Sequence, residues 1–99
     1  MHGHAAARAD RRRVIAMSWT VYLLVSSTRT YVGITTELRR RLDQHNGKRR
    51  GGARATRGRG PWRVAAQWGP FDTRSAALRV EHQVKRLRGR RRSTWQPPA

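Results

Sequence analysis

The sequence predicts a small α/β (α+β) fold, in which a three-stranded sheet is flanked by helices in the order β-β-α-β-α with a last helical turn. The chain has 99 residues and contains no internal repeat, so it forms one domain at most. Short runs of β-branched and aromatic residues alternate along it with segments of helical periodicity. Such a small mixed sheet buries its apolar faces under the helices.

Two neighbouring runs predict a β-hairpin. Trp19–Val25 and Thr30–Ile34 are rich in strand-forming residues, and a short polar turn separates them. Because side chains alternate along a strand, a turn of two or four residues puts Tyr22 and Tyr31 on the same side of the sheet. Gly33 then leaves room beside Tyr22. Two phenols converging at a glycine gap are a candidate site, although tyrosine is also common in strands for structural reasons alone.

The segment Glu37–Asn46 follows the hairpin and predicts the first helix. Thr36 is the expected N-cap, and Gly47 is expected to end the helix. Leu38 and Leu42 lie four residues apart and form the apolar stripe of this helix.

A glycine-rich basic loop at 47–61 follows this helix. The third predicted strand, Trp62–Trp68, comes after the loop, and Gly69-Pro70 is expected to end it. Six of the loop's fifteen residues are Lys or Arg, five are Gly and none is acidic. We expect it to contact phosphates without reading bases, although a solvated loop with no partner has the same composition. The predicted nucleic-acid-binding residues of the loop are Lys48, Arg49, Arg50, Arg54, Arg57 and Arg59.

The second predicted helix begins after a cap at Asp72 or Thr73 and runs to about Arg88, before Gly89. The residues expected on its inner face are Ala77, Val80, Val84 and Leu87. A short helical turn is predicted over Arg90–Trp95.

The charge balance points to a polyanionic partner. The chain carries 23 Lys+Arg against 5 Asp+Glu, a net charge of +18. Nucleic acid is the first expectation and an anionic membrane surface the second. The chain has no cysteine, which excludes disulfides, a thiolate nucleophile and a cysteine-ligated zinc site. No apolar run approaches the roughly 20 residues of a membrane span.

These patterns also suggest how the chain is organised. We expect a flexible basic extension at 1–16, a folded domain at 17–95 and a tail at 96–99. No apolar signal-peptide core follows the N-terminal arginines, so the expected location is cytoplasmic.

Three residues of the predicted helices are candidates for chemistry. Arg41 lies three residues after Leu38 and four before His45, at the edge of the buried stripe. Glu81 lies beside the apolar face of the second helix and is one of only five acids. Its carboxylate is either an ion-pair partner for nearby arginines or the sole protein oxygen ligand of Mg²⁺, which binds through one or two carboxylates plus substrate phosphate.

Together, the motifs Thr20-Val21-Tyr22 and Tyr31-Val32-Gly33, followed by Arg41, His45 and Glu81, resemble the GIY-YIG endonuclease superfamily. The resemblance runs from about Trp19 to Arg88, and it is strongest to the small, single-domain bacterial members. It implies the GIY-YIG fold and the hydrolysis of phosphodiester bonds in DNA. It also implies one divalent metal ion, Mg²⁺ or Mn²⁺.

The resemblance assigns the two tyrosines to the attacking water. Tyr22 would help to deprotonate the water, and Tyr31 would orient it. A phenol with a pKa near 10 is a weak base at neutral pH. We expect adjacent cations and a metal-bound water to favour the phenolate or to lower the demand on it.

The resemblance gives the other site residues these roles. Arg41 would bind the scissile phosphate and stabilise its transition state, and Glu81 would hold the metal ion. His45 would support the site or relay a proton, and Lys85 would contact a phosphate.

Two other functions remain open at this point. One is a nucleic-acid-binding module of the same fold that does not cleave. The other is a small RNA-associated basic protein in which the tyrosines and Glu81 are structural. Convergence of Tyr22, Tyr31, Arg41 and Glu81 would separate the last possibility from the first two.

Overall fold

The computed structural model describes residues 18–27 and 29–97. It contains the predicted α+β architecture, an antiparallel sheet with strand order β2-β1-β3 and helices on both sides. In chain order the elements are β1 (Trp19–Ser26), β2 (Arg29–Thr35), α1 (Leu38–His45), a 3₁₀ turn (Arg54–Thr56), β3 (Arg63–Phe71), α2 (Arg74–Lys85) and α3 (Arg90–Thr94).

The hairpin has the register that the tyrosine spacing predicts. Ser26 pairs with Arg29, which leaves a two-residue turn between β1 and β2. Tyr22 pairs with Gly33, and Leu24 pairs with Tyr31. Side chains directly opposite each other in a ladder share a face, so Tyr22 and Tyr31 lie on the same side of the sheet, as predicted.

The sheet is covered differently on its two faces. On one face, the side chains of β1, β2 and β3 pack against α2 in a cluster made of Val21, Leu23, Val32, Trp68, Ala77, Val80 and Val84. On the opposite face, Tyr22, Leu24 and Trp62 pack with Leu38 and Leu42 of α1. The candidate tyrosines therefore lie under α1 and the basic loop that follows it.

The first helix begins differently from the prediction. Glu37 is its N-cap and makes no side-chain capping bond, so the predicted cap at Thr36 is wrong. The hydroxyl of Thr35 accepts a hydrogen bond from the Glu37 backbone N–H at 3.0 Å instead, because the chain turns into the helix directly from the end of β2. Gly47 follows the helix with a φ of +79°, a conformation that favours glycine.

The third strand continues past its predicted end. Gly69-Pro70 does not end β3, which extends to Phe71, the partner of Trp19. The ladder register shifts between Trp19 and Val21, and Gly69 takes a φ of +123°. An irregularity at this glycine therefore lets the strand pass the proline and resume pairing.

The second helix has the predicted cap but a shorter course. The Thr73 hydroxyl accepts a hydrogen bond from the Ala76 N–H at 3.1 Å, as predicted. The helix ends at Lys85 and not at about Arg88. The guanidinium of Arg92 donates to the carbonyls of Lys85 and Leu87 at 3.1 and 2.7 Å, so α3 supplies the cap of α2.

The predicted N-terminal extension at 1–16 lies outside the described residues. Among the helices of the described part of the chain, none is long and apolar enough to cross a bilayer.

Candidate active site

Three rings meet on the face of the sheet that α1 covers. The ring centroids of Tyr22 and Tyr31 lie 6.3 Å apart. His45, at the last turn of α1, places its imidazole 5.8 Å from the Tyr22 ring and 4.7 Å from the Tyr31 ring. The two tyrosines that the sequence predicted to converge therefore do so, and His45 joins them.

A continuous chain of short hydrogen bonds connects Tyr22 to the basic loop. The Tyr22 hydroxyl lies 2.8 Å from His45 Nε2, and His45 Nδ1 lies 2.7 Å from the Thr56 hydroxyl. Thr56 is fully buried, and its hydroxyl donates to the Ala53 carbonyl at 2.9 Å. Each buried polar side chain in this series of hydrogen bonds therefore has a partner, as is usual for buried polar groups.

Gly33 makes room for the Tyr22 phenol. A Cβ atom at Gly33 would lie 2.5 Å from the Tyr22 hydroxyl oxygen and 2.7 Å from Cζ. The Tyr22 side chain is itself only 1% exposed. The predicted glycine gap is confirmed, and the phenol occupies it.

Arg41 is held in place from both sides. Its Nη1 donates to the Gln44 side-chain oxygen at 2.8 Å and to the Gly51 carbonyl at 2.6 Å. A guanidinium carries five N–H groups in a fixed plane. The bonds through Nη1 therefore orient the other donors of Arg41, and the guanidinium is close enough to Tyr22 to affect its ionisation.

Burial has a larger effect than the neighbouring cation on the ionisation of Tyr22. Burial raises the pKa of Tyr22 to about 12, and the Arg41 guanidinium opposes this rise only in part. The charges of Tyr31 and Glu81 push the pKa further upward. Desolvation outweighs the neighbouring cation, so in the free protein Tyr22 is a neutral phenol at physiological pH.

His45 is also neutral. Burial lowers the pKa of His45 to about 4, and the positive charge of Arg41 lowers it further. Its side chain is 3% exposed. At neutral pH one ring nitrogen of His45 therefore carries a hydrogen and the other offers a lone pair.

Glu81 is a partly buried residue of α2. Its side chain is 16% exposed, and Oε2 lies 3.6 Å from Lys85 Nζ. Its charge is the weakest of the causes that raise the pKa of Tyr22. The structure thus brings Arg41 next to Tyr22, whereas α2, which carries Glu81, packs on the opposite face of the sheet and pairs the carboxylate with Lys85.

The donor set suits a metal ion that takes most of its ligands from elsewhere. Within the part of the chain that the structure describes, no three His, Asp or Glu side chains cluster closely enough to enclose a metal. A single carboxylate completed by water and substrate phosphate is an arrangement that Mg²⁺ accepts. Glu81 fits that requirement.

The basic loop at 47–61 forms a second feature of this surface. The side chains of the six predicted phosphate-binding residues, Lys48, Arg49, Arg50, Arg54, Arg57 and Arg59, are exposed. A cavity of about 610 Å³ lies between the end of α1 and the loop, and Arg49, Arg50 and Arg57 contribute to its lining. Arg49 also forms a long ion pair of 3.8 Å with Asp43.

Asn46 closes the base of this loop. Its side chain accepts from the Trp62 N–H at 2.5 Å and donates to the Trp62 carbonyl at 3.0 Å. The residues on either side of the loop are therefore bonded directly to each other.

Three residues that contact the site were not identified from the sequence, which are Gln44, Gly51 and Thr56. The spacing of Gln44, three residues after Arg41, offered a signal for their contact. Gly51 and Thr56 offered none, because their contacts depend on how the loop folds back over α1.

Comparison with known proteins agrees with this arrangement. The family model of the GIY-YIG catalytic domain matches residues 18–94. This range covers every element from β1 to α3 and all of the candidate site residues.

Individual relatives match about two thirds to three quarters of the chain. The chain is 47% identical over 70 residues to the UPF0213 protein SG0387 of Sodalis glossinidius, which covers 70% of this chain and 63% of the relative. It is 41% identical over 78 residues to the UPF0213 protein BH0048 of Halalkalibacterium halodurans, covering 77% and 79%. It is 45% identical over 69 residues to the structure-specific endonuclease subunit slx1 of Schizosaccharomyces japonicus, covering 66% of this chain but only 25% of that protein.

The match to SG0387 spans less than two thirds of that relative, and the match to the S. japonicus subunit spans a quarter of it. The region that the family model matches, residues 18–94, contains the sheet, α1, the basic loop and α2. The chain therefore belongs to the GIY-YIG family.

Proposed function

We propose that this domain hydrolyses phosphodiester bonds in DNA with the help of one divalent metal ion. The observation that carries the proposal is the hydrogen bond between Tyr22 and the neutral His45, made beside the positioned guanidinium of Arg41 and within range of the Glu81 charge. The similarity to a structure-specific endonuclease subunit supports a nuclease activity.

Arg41 binds the scissile phosphate in this proposal. Its Nη1 is occupied by Gln44 and Gly51, which fixes the plane of the guanidinium. The other N–H groups of that plane suit the oxygens of a phosphate. A donor fixed before the reaction stabilises the charge that builds on the phosphoryl oxygens.

Tyr22 and His45 accept the proton of the attacking water. As the water oxygen attacks phosphorus, its proton passes to the Tyr22 oxygen, and the Tyr22 hydrogen passes to His45 Nε2. Tyr22 stays neutral, and His45 becomes an imidazolium that must later return the proton to solvent or to the leaving oxygen. This sequence avoids the phenolate, which the raised pKa of Tyr22 makes scarce.

Substrate binding makes His45 a better acceptor. The positive charge of Arg41 is one cause of the low pKa of His45, although burial is the larger one. A phosphate bound to Arg41 neutralises that charge, so the pKa of His45 rises when the substrate is in place. Tyr31, whose ring lies against His45, orients the water.

Glu81 would hold the metal ion, Mg²⁺ or Mn²⁺, together with substrate phosphate and water. The ion would supply positive charge at the phosphate and at the leaving oxygen. Lys85, which pairs with Glu81, is placed to contact a phosphate beside the carboxylate.

The basic loop binds the DNA backbone. Its cations lie exposed around the cavity next to His45. Phosphate contacts of this kind position a nucleic acid without reading its sequence. We therefore propose that the loop recognises DNA by its shape and charge.

We also propose that the domain spans residues 17–95 and that the protein is cytoplasmic.

The proposal is tested by one cleavage panel. Branched, nicked and single-stranded DNA and a single-stranded RNA are incubated with the full chain in Mg²⁺, in Mn²⁺ or in chelator. We expect metal-dependent cleavage of at least one DNA and binding under all three conditions. Tyr22→Phe, which keeps the ring, should lose cleavage, and Arg74→Gln, a change beside Trp19 at the far end of β1, should keep it.

Two outcomes contradict the proposal. Binding without cleavage of any substrate would identify a non-catalytic nucleic-acid-binding module. Binding or cleavage confined to RNA would exclude DNA as the substrate.

A further inference from the structure

The Thr56 hydroxyl lies within hydrogen-bond distance of His45 Nδ1, while the other ring nitrogen faces Tyr22. Thr56 belongs to the 3₁₀ turn Arg54–Thr56 inside the basic loop, and its side chain is fully buried. Its hydroxyl has two polar neighbours, the Ala53 carbonyl at 2.9 Å and His45 Nδ1 at 2.7 Å. No role in the chemistry is implied for this residue by its position in the sequence.

The direction of each bond follows from the carbonyl. A carbonyl oxygen only accepts, so the single hydroxyl hydrogen of Thr56 points to Ala53. Toward His45 the same hydroxyl can then only accept. The hydrogen of the neutral imidazole must therefore lie on Nδ1, and Nε2 presents a lone pair.

The consequence reaches Tyr22. Because Nε2 of His45 is an acceptor, the Tyr22 hydroxyl donates its hydrogen to it across 2.8 Å. The lone pairs of the Tyr22 oxygen remain for other donors, such as the attacking water. If His45 instead carried its hydrogen on Nε2, the Tyr22 oxygen would accept from His45 and its own hydrogen would point away from the imidazole.

We propose that Thr56 is a positioning residue, which fixes the Nδ1–H form of His45 through its bond to Ala53 and so directs the Tyr22 hydroxyl toward the imidazole. The placement of the hydrogens rests on the hydrogen-bond geometry and on the neutral state of His45, whereas its effect on cleavage rests on the proposed nuclease function. The basic loop thus contributes a structural support to the catalytic groups as well as charge to the DNA-binding surface.

The variants Thr56→Val and Thr56→Ser separate this role from packing. Valine has nearly the shape of threonine but cannot accept a hydrogen bond, whereas serine keeps the hydroxyl and loses only the methyl group. Partners that orient a histidine in this way are typically worth about 10- to 100-fold in activity at metal centres. We expect a loss of that size in cleavage rate for Thr56→Val and near wild-type cleavage for Thr56→Ser.

The decisive measurement is ¹⁵N NMR of the His45 ring in the free full chain. The wild type and Thr56→Ser should show a pyrrole-type shift at Nδ1 and a pyridine-type shift at Nε2, whereas Thr56→Val should lose this pattern. A pyridine-type Nδ1 in the wild type would overturn the proposal, whether or not the valine variant folds. An unchanged pattern in a folded Thr56→Val would overturn it as well.

The nuclease function has its own readout. If the wild type cleaves no DNA, the proposed function fails, and the ring spectrum still decides the state of His45. If the wild type cleaves and Thr56→Val cleaves at the same rate, the positioning role fails while the nuclease function stands.

Discussion

Gly33 lies directly opposite Tyr22 in the β1–β2 ladder, and a methyl group on Gly33 would lie only 2.5 Å from the Tyr22 hydroxyl oxygen. The phenol is buried and bonded to His45, so it cannot move away from Gly33 without disturbing that bond. The absence of a side chain at residue 33 is therefore a condition for the hydrogen-bonded position of Tyr22.

Gly33→Ala should abolish cleavage and leave the sheet folded. The added methyl group must displace Tyr22 from His45, and overpacking of this kind costs about 1–3 kcal/mol of stability. Cleavage rate and thermal unfolding are measured together, with Gly58→Ala as the control. Gly58 lies in the loop with open space around its Cα, but its φ of +66° will cost some stability. Full activity of Gly33→Ala would show that the phenol can leave its place without consequence.

Glu81→Gln should reduce the cleavage rate by about 10²–10³, the usual effect of removing one electrostatic element of a transition state. DNA binding in chelator should stay the same or become slightly tighter, because a negative charge is removed from a basic surface. The matched control is Glu37→Gln, which makes the same change of charge at an exposed residue outside the site. Equal rates for Glu81→Gln and the wild type would assign Glu81 to its ion pair with Lys85 alone.

DNA binding should weaken steeply with salt. If about 6 phosphates are contacted, log K should fall against log salt with a slope of about −5 on duplex DNA. Neutralising Arg49, Arg50 and Arg57 together should reduce the magnitude of the slope by about 2–3, since each lost phosphate contact removes roughly one counterion. Arg74→Gln, at the far end of β1 from the loop, serves as the control. A slope that the triple variant leaves unchanged would place the DNA on another surface.

The stability of the domain should fall as the pH drops from about 6.5 to about 4. His45 has a lowered pKa of about 4 in the folded protein because it is buried and faces Arg41, whereas an unfolded histidine titrates near its ordinary value. In this window the unfolded chain binds a proton that the folded chain does not, so acid favours unfolding by about 1.4 kcal/mol per pH unit, or roughly 3 kcal/mol in all.

Chemical denaturation at pH 7 and pH 4.5 measures this loss, and the ring shifts of His45 follow its titration directly. His82→Gln is the control, because His82 is exposed and its removal should leave the loss in place. A His45 resonance that titrates near pH 6.5 would contradict the expectation.

The convergence of the two tyrosines could be predicted because it depends only on the alternation of side chains and a short turn. Tyr22 and Tyr31 share a face for a turn of two residues, and Ser26 and Arg29 pair to leave such a turn. The burial of α2 was predictable in the same way, from the spacing of Ala77, Val80 and Val84. Local periodicity is enough to decide which faces are buried.

The boundaries that the sequence misplaced depend on contacts from distant residues. Gly69-Pro70 is a strong local stop signal, but pairing of Phe71 with Trp19 carries β3 past it. The end of α2 depends on Arg92, which reaches back to the carbonyls of Lys85 and Leu87. No pattern within either segment contains these partners.

The raised pKa of Tyr22 could not be predicted from the charges near it in the sequence. Adjacent cations lower the pKa of a phenol, yet in the free protein the burial of Tyr22 has the larger effect and raises its pKa. Burial is a property of the assembled fold, so the sign of this shift could not be obtained from the neighbouring residues alone.

The two hydrogen bonds between Asn46 and Trp62 hold the ends of the basic loop together. A loop whose ends are already joined does not have to lose the entropy of closure when it meets DNA. The arginines of the loop would therefore meet phosphates without that loss, while the hydrogen bond that joins Thr56 to His45 stays in place. The phosphate contacts proposed for the loop would then form on a surface that already holds Thr56 against His45.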